Sequence, residues 1–227
     1  IYMTPATKKM AETNPLIKMQ HHALKKAWNG LPDEQRDLVK TLKIKAQKQT
    51  KSGTFTAGSW TRDTGVLTVV LHENESDLKE TFNTLHHEIG HAQYNKLMNE
   101  HPEKVEKFNR EIKEIGSSYS ALTSYVGSYR GAYRKAIDAK EKQKKYLENW
   151  NKKHEQYPQR YSKVSEFEFE KSMAIMDHNI NIAQNIYENE THSALAQLVA
   201  GTNTSDIRIT DKKVLNKMFD AYKELHS

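Results

Sequence analysis

Apolar residues recur at helical spacing along most of the chain, and the clearest exceptions lie before residue 72. Asn14-Pro15 is typical of an N-cap followed by the first residue of a helix, and Gly30 is typical of a helix end. Pro32 is expected to open a second, short helix that runs through Leu38 and Val39. The chain therefore begins with helices.

Strands are predicted next. Leu42, Ile44 and Ala46 alternate with polar residues, which indicates a half-buried strand. Two more strands are expected over 54–60 and 66–71, joined by a hairpin turn in which Gly65 can adopt a positive φ. A small sheet therefore precedes the next helix directly.

The helix after the sheet has an apolar side and a histidine side. Its apolar positions follow at spacings of four, three, four and three: Leu78, Phe82, Leu85, Ile89 and Ala92. His87 and His91 project about 180–220° away from Leu78, at about 100° per residue. Gly90 costs about 1 kcal/mol inside a helix. A small residue there predicts close approach by another backbone segment.

Long polar helices are expected in the second half. One spans about 105–115, and residues 116–131, rich in Ser, Gly and Tyr, are expected to form a loop. A charged helix follows to about 153, and Tyr157-Pro158 breaks it. A long helix is expected from about 164 to 200 with Gly201 as its stop, and a last helix begins near residue 211.

These elements predict an α+β fold that is mostly helical. We expect one domain over 1–227, with an N-terminal sheet subdomain at 1–98 and a helical C-terminal subdomain at 99–227. The charged helices at about 132–170 are expected to form a helical arm. No internal repeat is visible.

Composition narrows the class of protein. The chain has 227 residues, of which 36% are hydrophobic and 28% charged, and its 35 basic and 29 acidic residues give a net charge of +6. This mixed surface does not favour nucleic-acid binding. No apolar run is long enough to span a membrane. The chain lacks cysteine and starts at Ile1; a mature or excised domain is expected, with secretion or translocation the favoured location.

The candidate chemistry lies in His87-Glu88-Ile89-Gly90-His91, which is the HExxH pattern. Histidines four residues apart lie one above the other on a helix, so both imidazoles can reach one metal ion. Neutral imidazole suits Zn²⁺, and a catalytic zinc site has three protein ligands and one open position. We therefore expect one zinc ion and a third ligand. The alternative is a pair of solvated histidines on an amphipathic helix.

The third ligand is sought on the long helix. One stripe of this helix has residues at three- and four-residue spacing: Met173, Met176, Ile180, Ala183, Tyr187, Glu190, Ala194 and Leu198. Glu190 is the only charged residue in the C-terminal half of that stripe. A carboxylate on a core-facing stripe must be paired or bound to a metal, which favours Glu190. Glu168 projects within about 40° of it and is the competitor. Glu188 and His192 project towards the opposite face. The alternative role for Glu190 is a buried ion pair.

A zinc helix with HExxH and a glutamate on a later helix resembles the gluzincin metallopeptidases. Glu188–Ala196 resembles the glutamate helix of small gluzincins. Within that group, Lys113–Ser117, Leu122–Tyr125 and the C-terminal tail after Glu190 resemble the family of the anthrax lethal factor catalytic domain and the Pro-Pro endopeptidases. This resemblance implies a zincin-like fold, with the arm inserted between Tyr125 and Glu190. It also implies that Tyr125 stabilises the reaction's oxyanion. Tyr187, one turn before Glu190, is the rival for that role.

The expected activity is hydrolysis of an internal bond of a protein or peptide substrate by a zinc metallopeptidase. Glu88 would act as general base towards the water and then as general acid towards the leaving amine. Val66–Leu71 is expected to hold an extended peptide by strand addition. Two alternatives stay open: a helical interaction module that cleaves nothing, and a regulatory or DNA-associated metalloprotease. The sequence predicts neither the substrate nor the oligomeric state.

Overall fold

The computed structural model describes residues 1–48, 57–75, 78–115, 120–201 and 209–227, with only the backbone for 120–121, 123–125 and 209–210. Its helices are α1 (Pro5–Thr13), α2 (Pro15–Asn29), α3 (Asp33–Arg36), α4 (Leu78–Glu100), α5 (Pro102–Ile115), α6 (Ser120–Gln156), α7 (Glu166–Gly201) and α8 (Ile209–Leu225). Its strands are β1 (Tyr2–Met3), β2 (Thr41–Gln47), β3 (Gly58–Thr61) and β4 (Val66–His72). The α+β, mostly helical class is confirmed at this level.

The four strands form one mixed sheet in the order β1-β2-β4-β3. β2 is parallel to both β1 and β4, while β3 runs antiparallel to β4. The predicted hairpin is present, and Gly65 in its turn has φ 63°. Residues 54–56 of the predicted first hairpin strand lie outside the described residues.

The sheet order corrects one prediction. Val66–Leu71 cannot accept an added peptide strand, because β4 is hydrogen-bonded to β2 on one side and to β3 on the other. Residues from Leu67 to His72 are buried on both faces of the sheet, as expected for an interior strand. Among the described strands, β3 is the one that forms the edge on this side.

The first helices follow their capping signals. Asn14 caps α2, its side-chain oxygen accepting hydrogen bonds from the amides of Leu16 and Ile17, and Pro15 is the first helical residue, as predicted. α1, which Asn14 ends, was not predicted, since its apolar pattern is weak. The helix expected at Pro32 is only one turn long.

The core lies between the sheet and two helices. Buried side chains from α2, β2, β4 and α4 form one cluster, whose fully buried members include Ile17, Leu24, Ile44, Leu67, Leu71 and Leu85. Gln20 joins α2 to the end of β4: its amide donates to the His72 carbonyl at 2.7 Å and accepts from the His72 amide at 3.0 Å. This buried pairing fixes the end of the strand that leads into α4.

The chain divides into two compact units. The first comprises residues 1–121 and 192–227, and the second comprises 122–191. The sequence had placed a subdomain boundary at residue 98 and an arm at 132–170. α7 belongs to both units, because its residues up to Thr191 lie in the second and those from His192 onward in the first.

The second unit is an antiparallel pair of helices. Tyr133 donates to Gln184 at 3.3 Å, and Gln143 donates to Ser172 at 3.2 Å. The break at Tyr157 is confirmed, since α6 ends at Gln156. The loop expected over 116–131 is wrong from Ser120 onward, where α6 has already begun. Burial of Leu122 and Val126 overrides the low helix propensity of that serine- and glycine-rich segment.

Among the described residues, none of the helices has the length and apolar character needed to cross a membrane.

Candidate metal centre

The HExxH residues lie in the middle of α4, and the helix has the two sides that the sequence predicted. Leu85, Ile89 and Ala92 are buried in the core. His87 and His91 are half-buried. Between them along the chain, Glu88 is only 6% exposed, so its carboxylate lies in an environment from which most water is excluded.

His87, Glu88 and His91 converge. One ligand atom from each lies within 4.8 Å of the others. The two imidazole rings are 4.8 Å apart at their centroids and nearly perpendicular, with an interplanar angle of 89°. This arrangement could hold a metal ion. It is the consequence of i, i+4 spacing on a helix whose opposite side is anchored in the core.

Gly90 lies against α7, as its small size predicted. A Cβ atom at this position would come within 2.7 Å of the Ser193 Cα and 2.9 Å of the Ala196 Cβ. Both helices therefore need small residues at the crossing. The close approach brings the start of the buried part of α7 directly beside the metal helix.

The same crossing gives His91 a fixed partner. The Oγ of Ser193 lies 2.8 Å from Nδ1 of His91, and Ser193 is fully buried. If Nδ1–H donates to this hydroxyl, Nε2 carries the free lone pair that a metal needs. Partners of this kind orient metal-binding histidines and set their tautomer. The two imidazoles are therefore donors that fit a metal ion.

The edge strand β3 passes next to Glu88. A side chain at Gly58 would approach the Cγ of Glu88 to 3.0 Å and the Cγ2 of Thr84 to 2.6 Å. Gly58 thus leaves room for the glutamate while keeping the strand in contact with α4. The open edge of the sheet and the buried carboxylate are neighbours.

Comparison with protein-family models, with curated proteins and with solved structures finds no match to this chain. The gluzincin resemblance therefore stays a prediction. So does the zincin-like fold, beyond the α+β class.

The structure assigns different surroundings to the two candidate third ligands. Glu190 is half-buried on α7, in the second unit, on the stripe whose members are all half-buried or buried. Glu168 is exposed and forms a capping box: its carboxylate accepts from the amide and hydroxyl of Ser165 at 2.9 Å each. These bonds lower the pKa of Glu168. Glu168 thus has a structural role at the start of α7.

The two candidate tyrosines also differ. Tyr125 lies on α6, and its side chain is outside the described residues. It was expected in a loop. Tyr187 is half-buried and stacks on Tyr133, with ring centroids 6.2 Å apart and an interplanar angle of 16°. Its ring therefore has a packing role between the two helices of the second unit.

His192, which was predicted to project towards the opposite face of α7 from Glu190, lies among aromatic rings and close to Gly90 and His91. It is fully buried, with its ring 5.3 Å from that of Tyr94 and 5.0 Å from that of Tyr222. Its Nε2 lies 3.0 Å from Nε2 of His226. Burial lowers the pKa of His192 well below its usual value and that of His226 to about 4. Both rings are neutral near pH 7 and can share one hydrogen bond.

Sequence reasoning missed Ser193. A small hydroxyl residue one turn after a candidate ligand is a weak signal, because serine is also common at helix crossings for its size alone. The glycine at 90 gave the only hint that another helix would meet α4 here.

Proposed function

We propose that this protein is a zinc metallopeptidase. The observation that carries the proposal is the pair of convergent imidazoles with a buried glutamate beside them, of which one imidazole is held by Ser193. A solvated histidine pair would need neither the buried carboxylate nor the serine. The comparisons add no support, so the proposal depends on this geometry and on the spacing in the sequence.

Glu190 is proposed as the third ligand, with His87 and His91 as the other two. Glu190 precedes Ser193 by three residues, and residues three apart lie on the same face of a helix. The contact of Ser193 with His91 supports this choice of ligand on α7. Two histidines, one carboxylate and an open fourth position are a common catalytic zinc set.

When bound, zinc acidifies a coordinated water and polarises a carbonyl group. Glu88 would accept a proton from water and return it to the leaving nitrogen, which is general acid–base catalysis by one side chain. Its burial keeps competing solvent protons away. Tyr125 stays the proposed oxyanion donor by resemblance alone.

The substrate is proposed to bind at the edge of β3. The Ala57 carbonyl accepts from the Val70 amide at 2.8 Å, so in the antiparallel pattern the backbone groups of Gly58 and Trp60 point away from β4. An extended peptide can pair with them. Gly58 adjoins Glu88, which supports an approach of such a peptide to the proposed general base.

Glu88→Gln tests the chemistry. We expect the variant to retain zinc, because Glu88 is not a proposed ligand, and to lose peptide hydrolysis by about 10²-fold or more. Zinc content by elemental analysis and cleavage of an unfolded protein such as casein are the two measurements. Equal casein cleavage by the wild type and the variant would contradict the role of Glu88.

The ligand set has a separate test. Glu190→Gln should bind zinc much more weakly than the wild type, whereas Glu168→Gln should bind it equally well, since Glu168 caps a helix. Both substitutions preserve size. Zinc loss in Glu168→Gln alone would reverse the assignment, and full zinc content in both would place the third ligand elsewhere.

A further inference from the structure

A cavity lies in the first unit, on the side of α4 that faces away from His87 and His91. Its volume is about 960 Å³. The α4 residues that line it, from Phe82 to Glu100, project about 100–180° from the midpoint of His87 and His91. The cavity is therefore a groove behind the metal helix and separate from the metal site.

The groove is mainly apolar. α2 contributes Ala23 and Ala27, and α7 contributes Ala196, Val199 and Ala200. These small side chains and Ile89 line the groove. Val199 is 41% exposed there. Pockets that bind small organic molecules have volumes of about 300–1,000 Å³ and mostly apolar walls, and this groove lies within that class.

The charges at its rim favour an anion. Lys26 and Lys104 are exposed, and neither forms an ion pair with any residue that the structure describes. Lys96 lies 3.9 Å from Glu100, which balances it. Glu34 is the remaining acidic residue of the lining. Two lysines without a partner, at the edges of an apolar trough, complement an apolar molecule with one carboxylate.

The imidazole of His86 supplies a polar contact within the groove. Its ring packs on Phe82 with the centroids 4.2 Å apart, and it lines the cavity one residue before the first metal ligand. A molecule in the groove would therefore touch the helix turn that carries His87. The groove does not need this contact to bind a ligand, but it gives an occupant access to the back of the metal site.

We propose that this groove is a binding site for an amphiphilic carboxylic acid, such as a fatty acid, whose apolar chain lies along α4 and whose carboxylate contacts Lys26 or Lys104. The proposal does not depend on peptidase activity. It assigns the chain a second ligand, distinct from any substrate at β3.

Dodecanoate is the probe, titrated into the full chain below its micelle concentration and followed by calorimetry. We expect saturable binding of one molecule per chain. Val199→Trp and Ala27→Phe fill the groove from two different helices, and each should weaken binding at least tenfold. Ile175→Trp is the matched control: it changes another exposed residue of α7, 51% exposed, outside the groove, and should leave binding unchanged.

Separate experiments test the role of charge and the location of the binding site. The double substitution of Lys26 and Lys104 by Glu should weaken dodecanoate binding, and dodecyltrimethylammonium should bind the wild type less well than dodecanoate. Binding should persist when EDTA removes metal. Three results would overturn the proposal: no saturable binding, equal binding of the cationic amphiphile, or binding lost with the metal, which would place the carboxylate at the zinc ligands instead.

Discussion

At the scale of single residues, the site around His91 depends on which ring nitrogen carries the proton. The Oγ of Ser193 lies 2.8 Å from Nδ1 and can hold the proton there. Without it, the ring can rotate or adopt the other tautomer. In the proposed site, Ser193 would act on the metal through His91, as a positioning residue, and Glu88 would act directly on the water.

Ser193→Ala should therefore weaken zinc binding by about 10- to 100-fold, the range found when such partners are removed. The cavity created is small, so the fold should be retained. Competition with a chromophoric chelator measures the affinity. Ser193→Thr, which keeps the hydroxyl, should restore part of it. Ser172→Ala, which removes a hydroxyl that bonds to Gln143 in the second unit, should leave the zinc affinity unchanged.

The pairing of His87 with His91 could be predicted from the sequence, and the contact of His91 with Ser193 could not. Spacing of four residues on an amphipathic helix places two histidines together whatever the rest of the fold does. The partner of His91 lies 102 positions away, and only the crossing of two helices decides which residue meets it. The hydrophobic periodicity of a helix does not predict which residues of another helix contact it at a crossing.

At the scale of elements, the crossing of α4 and α7 is set by backbone proximity. Gly90 has no room for a Cβ, since the nearest atom is the Cα of Ser193 at 2.7 Å, and backbone atoms cannot move aside cheaply. At Gly131, on α6, the same position has no atom of the described residues within 4 Å apart from the adjacent residues and the backbone of its own helix. The two glycines are in similar helices and in opposite surroundings.

Gly90→Ala should destabilise the protein by about 1–3 kcal/mol through overpacking, although alanine is the better helix former. Gly131→Ala should stabilise it by about 0.5–1 kcal/mol through helix propensity alone. Urea unfolding of the two variants beside the wild type measures both effects. If both substitutions were stabilising, α4 and α7 would not be in backbone contact.

The elements also show where local patterns fail. The alternation in β2 predicted a half-buried strand, and its burial does alternate. The apolar run of β4 did not predict whether one or both edges of the strand would be hydrogen-bonded to a neighbour. That pairing depends on the positions of the other strands. The loop prediction for residues 120–131 failed for a different reason. Burial of Leu122 and Val126 outweighed the low helix propensity of the serine- and glycine-rich composition.

At the scale of the whole molecule, neutral histidines whose rings are partly removed from water couple folding to pH. Burial lowers the pKa of His226 to about 4, while in the unfolded chain it is about 6.5. Between these values the unfolded state binds a proton that the native state does not. Stability is therefore complete above pH 6.5 and falls as the pH is lowered towards 4.

The melting temperature should accordingly fall from pH 7.5 to pH 4.5 more steeply in the wild type than in His226→Asn, which keeps a hydrogen-bonding side chain and does not titrate. Other histidines whose pKa values are also lowered by burial, such as the half-buried His21 and the buried His72, leave part of the slope in place. Thermal scans across that range provide the measurement. Parallel curves for both proteins would exclude His226 as a contributor.

Because the first unit is discontinuous in sequence, its two parts are synthesised at different times. Residues 1–121 leave the ribosome before the intervening 122–191, and the unit is complete only with 192–227. At about 5–20 residues per second, several seconds separate the synthesis of the two histidines from that of Ser193 and α8. During that interval the nascent chain has an HExxH helix without its partners, so zinc capture should be a late event of biosynthesis.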